Sequence, residues 1–186
     1  MTPTLLYLFG PPGAGKTTLM ETLLREWPAM AQHSEPFSFV YRIKGGDSLI
    51  ELGERRPPFS GTDTLSMSVG PVACTWIAEQ PHPRIVAEGD RLAYDGFWLA
   101  AQNAGYRLWL VLLDTTDVVL ALRRGRRAAA AGAQRQNPQW QRGRASKARR
   151  LADTWGDVTR LNANRPVAEL AAELLSHPYA KEVFPG

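Results

Sequence analysis

The segment of the chain best suited to chemistry is a glycine-rich loop near the N-terminus. Residues 10–17 read Gly-Pro-Pro-Gly-Ala-Gly-Lys-Thr, which matches the spacing G-x4-G-K-T. In such a loop the glycines let the main chain turn tightly, so that successive N–H groups point at a phosphate. The lysine reaches the β- and γ-phosphates, and the threonine hydroxyl is a ligand for Mg²⁺. The residues that we expect to bind a nucleoside triphosphate are Gly10, Gly13, Ala14, Gly15, Lys16, Thr17 and Thr18.

An acidic turn in the middle of the chain is the second candidate. The segment 84–87, which reads Arg-Ile-Val-Ala, predicts a strand that delivers Glu88 to the carboxyl edge of a sheet, where open α/β folds bind ligands. Glu88 there could hold Mg²⁺ through a bound water. Asp90 and Arg91 follow at the same edge and could orient an acceptor. The alternative is a structural turn in which Asp90 only caps the next helix.

Basic residues concentrate between Arg123 and Arg150, in a chain with a formal net charge of +4. Guanidinium groups that close over a transferred phosphoryl group stabilise its charge and exclude water. We therefore expect residues 123–150 to form a mobile lid; the alternative is a solvated basic helix face. The lid candidates are Arg123 and Arg127 for catalysis, Arg124 for the nucleotide, and Arg144 and Lys147 for the acceptor.

The acceptor is expected in the irregular segment 44–83, which is interrupted by glycines and prolines. Asp63 is our candidate for the base that takes a proton from an acceptor hydroxyl, with Asp47 behind it as a second acceptor-side carboxylate. The alternative for Asp63 is an N-cap at the start of a helix. Four aromatic residues could stack on a base or fill the core. They are Trp76, Phe97, Trp98 and Trp140.

Strands alternating with helices predict an α/β fold, with a parallel sheet covered on both faces. The predicted strands are 5–9, 37–43, 84–88, 107–113 and 157–161. The predicted helices are 17–27, 71–79, 91–104, 116–131, 138–155 and 166–175. We expect residues 1–186 to form a single domain.

Composition favours a soluble cytoplasmic protein. The chain has one cysteine, and its N-terminus lacks the pattern of a signal peptide. Nothing in the sequence calls for a membrane or an obligate protein partner. The net positive charge suits a polyanion such as a nucleotide or a nucleic acid. The Asn-Lys-x-Asp guanine reader of GTPases is absent from the sequence.

These segments resemble the nucleotide-kinase-like P-loop phosphotransferases. Glu88-Gly89 is similar to the Glu-Gly of uridine-kinase-type enzymes, and residues 59–67, 86–92 and 140–147 look like those of small bacteriophage kinases. Some of those kinases phosphorylate 5-hydroxymethyluracil within DNA. The resemblance implies a three-layer P-loop kinase fold with a five-stranded parallel sheet and helical lid and acceptor insertions. It also implies Mg-ATP as the donor and a position near the adenine for residues 162–165.

The sequence therefore predicts an ATP- and Mg²⁺-dependent kinase. The expected acceptor is a hydroxyl of a nucleobase or nucleotide, with 5-hydroxymethyluracil in phage DNA as the leading candidate. One alternative is a kinase of free nucleosides or nucleoside monophosphates. Another is a nucleotide-binding switch without an acceptor. The Asp-Arg-Tyr of thymidylate kinases is absent, since Asp90-Arg91 is followed by Leu92.

Overall fold

A seven-stranded sheet forms the centre of the computed structural model, which describes residues 2–56, 59–131 and 137–185. Its strands are β1 (Thr4–Phe9), β2 (Ala29–His33), β3 (Phe39–Lys44), β4 (Asp47–Leu52), β7 (Arg84–Glu88), β8 (Arg107–Asp114) and β9 (Val158–Asn162). A small second sheet pairs β5 (Glu54–Arg56) with β6 (Phe59–Gly61), and a short 3-10 turn over Thr62–Thr64 follows it.

Helices cover both faces of the large sheet. They are α1 (Lys16–Leu23), α2 (Gly70–Ala78), α3 (Asp95–Asn103), α4 (Asp117–Ala131), α5 (Pro138–Trp155), α6 (Val167–Leu175) and α7 (Ala180–Val183). Side chains of α2, α3 and α5 pack on one face of the sheet, and side chains of α1, α4, α6 and α7 pack on the other. The three-layer α/β architecture expected from the sequence is confirmed.

Strand β1 shows why the chain builds these layers. All six of its residues are buried, and successive side chains alternate between the two faces. Leu5, Tyr7 and Phe9 join the core under α2, α3 and α5, whereas Leu6 and Leu8 join the core on the opposite side. A strand that is apolar on both faces can be satisfied only in the middle of a sheet covered on both sides.

Five strands run parallel, in the order β4-β7-β1-β8-β9. The antiparallel strands β3 and β2 extend this sheet beyond β4, so the large sheet has seven strands where the resemblance implied five. Because the five core strands are parallel, their carboxyl ends meet at one edge. The loops that follow β1, β4, β7, β8 and β9 therefore converge there, and we call this the carboxyl edge.

The second parallel strand is not the one that the sequence predicts. The segment predicted over residues 37–43 is β3, which is antiparallel, and the parallel strand is β4, inside the segment 44–83 that reads as irregular. Gly45 and Gly46 form the two-residue turn between them, with φ values of 58° and 94° that suit a tight hairpin. Part of the expected acceptor insertion is therefore core sheet.

Helix bounds differ from the prediction mainly in the helices after β1 and β7. Helix α1 ends at Leu23, and α3 begins at Asp95 because residues 89–94 form the turn after β7. Helices α4 and α5 lie close to where the periodicity put them. Residues 132–136 of the expected lid are outside the part of the chain that the structure describes.

Candidate functional site

The phosphate-binding loop connects β1 to α1, as its sequence predicts. Helix α1 begins at Lys16, so the N–H groups of its first turn face the loop and favour an anion there. The Lys16 side chain is buried, and its Nζ donates hydrogen bonds to the carbonyl oxygens of Gly10 at 3.0 Å and Pro11 at 3.2 Å. A cation and a helix N-terminus thus converge on one loop.

Thr17 and Glu88 meet beside this loop. Glu88 ends β7, pairs in register with Leu8 of β1 and is 3% exposed. The Thr17 hydroxyl donates a hydrogen bond to Glu88 Oε1 at 2.9 Å. A hydroxyl next to a carboxylate at the mouth of a phosphate loop fits Mg²⁺, which prefers oxygen ligands and is commonly held by one or two protein groups together with phosphates.

The segment 59–64 lies directly on the turn that carries Glu88. Thr62 Oγ1 donates to the main-chain oxygen of Glu88 at 3.0 Å and also shares a hydrogen bond of 3.1 Å with the buried Tyr7 hydroxyl. A Cβ added at Gly61 would come within 2.4 Å of the Glu88 carbonyl oxygen, and one at Gly89 within 2.6 Å of Thr62 Oγ1. The two glycines allow the segment and the turn to touch main chain to main chain.

Asp63 is the link between the segment and the turn. Its Oδ1 accepts hydrogen bonds from the N–H groups of Asp90 at 2.9 Å and Arg91 at 3.2 Å. The structure thus brings Asp63 next to Glu88-Gly89, as the sequence-based assignment requires. It also gives this carboxylate a positioning task, since one of its oxygens fixes the turn.

Helix α5 reaches the same turn through two cations. Arg144 forms an ion pair with the Asp90 carboxylate, and Lys147 Nζ lies 3.3 Å from Asp90 Oδ1. Burial lowers the pKa of the Lys147 ammonium, and the neighbouring Arg144 cation acts in the same direction. Three of the residues that the sequence proposes for acceptor binding therefore meet at the Asp90 carboxylate.

Two other acceptor candidates are placed differently. Arg91 extends toward the exposed Met67, whose sulfur its guanidinium group contacts. Asp47 begins β4 and therefore lies at the opposite edge of the sheet, where its carboxylate pairs with Arg84 at 2.8 Å. The structure does not bring Asp47 to the phosphate loop.

Arginines of α4 lie across the phosphate loop. Arg124 Nη1 donates to the main-chain oxygen of Pro12 at 3.2 Å, and Arg123 donates to those of Ala14 at 3.3 Å and Ala163 at 2.7 Å. Burial lowers the pKa of the Arg124 guanidinium group. Both arginines in contact with the loop are lid candidates from the sequence, Arg123 for catalysis and Arg124 for the nucleotide. The side chain of Arg127, the other catalytic candidate, is outside the described part of the structure.

A cavity of about 290 Å³ opens between the phosphate loop and the loop after β9. Its lining includes Ala14, Thr18, Ala163, Arg165 and Val167. This is the region that the resemblance assigns to the adenine, since it covers residues 162–165. The mixture of small, apolar and cationic side chains suits a nucleobase with its ribose next to a phosphate chain.

A second cavity, of about 300 Å³, lies on the other side of the site. It lies among the start of β3, the residues that follow Asp63 and the beginning of α2, and residues of its lining include Phe37, Ser38, Thr64, Leu65 and Val69. None of the residues that line it carries a formal charge. The cavity therefore suits a neutral ring with hydrogen-bonding edges, next to the candidate base.

The sequence-based assignment did not include an ion-pair network near Glu88. Arg55 bridges Glu21 of α1 at 2.6 Å and Glu51 of β4 at 3.1 Å, and Glu51 also pairs with Arg42 at 2.6 Å. Burial raises the pKa of the Glu51 carboxyl, the Arg42 cation opposes that rise, and the Glu88 charge adds to it. The available signal was a carboxylate inside the apolar run 49–52, which predicts a buried charge that needs a partner.

The family model of P-loop Nucleotide Kinase3 matches residues 1–171 of the chain. The chain belongs to this family. The range matched by P-loop Nucleotide Kinase3 includes the phosphate loop, the Glu88 turn, both cavities and the arginines of α4. It supports a phosphotransferase of the nucleotide kinase type, with a nucleotide as substrate.

A search of curated proteins finds no match to the chain. Among the described residues, no helix combines the length and the apolar character that crossing a bilayer requires.

Proposed function

We propose that the protein transfers the γ-phosphoryl group of ATP, with Mg²⁺, to a hydroxyl group of a nucleobase or nucleotide. The observation that carries the proposal is the contact between Thr17 of the phosphate loop and Glu88 of the neighbouring strand, at 2.9 Å. It joins a triphosphate-binding loop to a buried carboxylate, which is the arrangement that holds Mg-ATP in P-loop enzymes.

On the donor side, the loop N–H groups and Lys16 would bind the β- and γ-phosphates. Thr17 and Glu88 would hold Mg²⁺, which neutralises charge on the phosphate oxygens when it is bound. The adenine and ribose would occupy the cavity next to Arg165. Arg123 and Arg124, which contact main-chain oxygens of the loop, would stabilise the charge on the γ-phosphoryl oxygens.

On the acceptor side, Asp63 would act as the general base. Its Oδ1 accepts two main-chain N–H groups, so Oδ2 is the oxygen for the proton. In the transfer, the bond between the γ-phosphorus and the bridging oxygen of ATP breaks, and a bond to the acceptor oxygen forms. The acceptor proton goes to the Asp63 carboxylate, and ADP leaves.

The acceptor that we favour is 5-hydroxymethyluracil in DNA. The cavity next to Thr64 supports a neutral ring as the acceptor, and the basic helix α5 supports a polyanion nearby. The resemblance of residues 59–67, 86–92 and 140–147 to bacteriophage kinases supports the hydroxymethylated pyrimidine. A base in duplex DNA would have to be unpaired or flipped out to reach the site.

The test is transfer of label from γ-³²P-ATP in the presence of Mg²⁺. The acceptors are an oligodeoxynucleotide with one 5-hydroxymethyluracil, the same strand with thymine, the free nucleosides and the nucleoside monophosphates. We expect label on the hydroxymethylated strand alone, and none with the Lys16→Ala variant.

Two other outcomes of the label-transfer test would change the proposal. Label on free nucleosides or monophosphates only would replace the DNA acceptor by a free metabolite and leave the kinase reaction intact. ATP hydrolysis without transfer to any acceptor would overturn the kinase proposal and favour a nucleotide-binding switch.

A further inference from the structure

The exposed aromatic residue on α5 is not explained by the proposed kinase reaction. Of the four aromatic residues that could stack on a base, Trp76, Phe97 and Trp98 are buried in the core, whereas Trp140 is 44% exposed. A single exposed apolar side chain is ordinary on a protein surface. The contacts of Trp140 are what make it informative.

Arg144 connects Trp140 to the candidate site. It lies one helical turn after Trp140, and its Cζ is 5.0 Å from the centre of the indole ring, which is a cation–π arrangement. The same guanidinium group pairs with the Asp90 carboxylate in the turn after β7. The indole ring is therefore held by a group that is itself fixed at the acceptor side of the site.

The helix around Trp140 is strongly cationic. Helix α5 contains five Arg or Lys residues and one acidic residue, Asp153. Arg144 and Lys147 follow Trp140 at intervals of four and three residues, so the three side chains share one face of the helix. An aromatic ring with cations along the same face is the combination that binds single-stranded nucleic acids, with bases on the ring and phosphates along the cations.

We propose that Trp140 and Arg144 form a stacking platform for an unpaired base next to the acceptor nucleotide in a polynucleotide strand. This inference rests on the proposed function. The ring that receives the phosphate is proposed to occupy the cavity next to Thr64, and Trp140 and Arg144 are not in the lining of that cavity. A base on the platform therefore belongs to a second nucleotide, which a free nucleoside monophosphate does not have.

The experiment measures binding by the full chain of a fluorescein-labelled, twelve-residue oligothymidylate, using fluorescence anisotropy. Binding of thymidine monophosphate is measured by competition. The variants are Trp140→Ala, Trp140→Phe and, as a control, Met30→Ala, which removes an exposed apolar side chain from β2. Thermal melting checks that every variant is folded.

We expect Trp140→Ala to weaken oligonucleotide binding about 5- to 150-fold, the range that loss of one base–aromatic stack produces. Trp140→Phe keeps an aromatic face and should retain most of the affinity, and Met30→Ala should bind like the unchanged protein. The ratio of oligonucleotide affinity to monophosphate affinity should fall only with Trp140→Ala.

Equal affinities of the unchanged protein and Trp140→Ala for the oligonucleotide would overturn the platform, as would the absence of oligonucleotide binding. A parallel loss for oligonucleotide and monophosphate would also overturn it, because Trp140 would then contact the acceptor itself. Since binding is read without ATP, failure of phosphate transfer would count against the proposed kinase reaction and not against the platform.

Discussion

The two edges of the parallel sheet carry similar residue types, but the partners of their charged side chains differ. At the amino edge, where the strands begin, charges are matched: Arg84 pairs with Asp47, and Glu182 accepts a hydrogen bond from Thr4 and contacts Arg107. At the carboxyl edge, the arginines of α4 contact neutral main-chain oxygens of the phosphate loop. A carbonyl group leaves the charge of a guanidinium group uncancelled, so this edge can attract an anion.

The partner of each cation distinguishes a structural charge from a functional one. A cation paired with a carboxylate at the amino edge, such as Arg84, contributes mainly to stability. A cation held by carbonyl groups at the mouth of a cavity contributes mainly to binding. Substitutions at the two edges should therefore separate activity from stability, and four of them test this, from the largest expected effect to the smallest.

Lys16→Ala should lower kcat about 1000-fold and leave the fold intact. The ammonium group is expected to act on phosphate charge, and loss of one such group costs about 100- to 1000-fold in comparable sites. Label transfer from γ-³²P-ATP measures the activity, and circular dichroism measures the fold. The matched control is Lys44→Ala, which removes a lysine paired with Glu26 at the surface and should keep full activity.

Asp63→Asn should lower kcat about 100-fold, within the range for loss of a general base, while the KM for ATP stays within about threefold. Asparagine keeps one oxygen to accept the N–H groups of Asp90 and Arg91 but cannot take a proton. Asp63→Ala should also disturb the turn, so its KM for ATP should rise. If asparagine is active and only alanine fails, Asp63 positions the turn and is not the base.

Arg84→Met should lower the free energy of unfolding by about 2 kcal/mol, because it removes charged hydrogen bonds to Asp47 and to the main chain of Glu182. For a chain of this size the melting temperature should fall by about 4–8 °C. The kcat and KM for ATP of the folded variant should not change. The exposed pair of Arg160 and Asp153 provides the control, since Arg160→Met should leave the melting temperature unchanged. A lower kcat in Arg84→Met would show that the amino edge acts on the reaction.

His82 should make stability depend on pH at the amino edge. Burial lowers the pKa of its imidazole, which contacts Ser48 and the main-chain oxygen of Arg84. The neutral ring is therefore favoured in the folded state, so its contribution to stability is complete above about pH 6.5 and is lost as the pH falls through the lower folded pKa. The free energy of unfolding, measured with urea from pH 5 to 8, should fall less steeply toward acid in His82→Gln. Parallel profiles would contradict the prediction.

Local sequence was sufficient to place the phosphate-binding loop between β1 and α1. The spacing of residues 10–17 specifies a loop whose shape depends on its own glycines, and the strand before it and helix after it are continuous in sequence. The same holds for Glu88, because a short apolar run places its last residue at the strand end. The three layers also followed from the alternation of strands and helices.

The acceptor side depends on contacts between distant parts of the chain, so the sequence predicted it less well. Asp63 meets Asp90 across 27 residues, and Lys147 meets Asp90 across 57. No periodicity within either segment encodes such a contact. Strand β4 lies in the segment 44–83, where glycines indicate interruptions of regular structure. A two-residue glycine turn such as Gly45-Gly46 also predicts a hairpin, and β3 and β4 form that hairpin.

The glycine contact between residue 61 and Glu88 limits how the specificity of this site can be redesigned. Because Gly61 lies directly against the carbonyl group and side chain of Glu88, a bulkier residue at position 61 would displace the Glu88 carboxylate. The proposed acceptor specificity should instead be varied at Phe37, before β3, or at Val69, just before α2, because both residues line the cavity next to Thr64. Changes there would reshape this cavity while the phosphate-binding loop keeps its geometry.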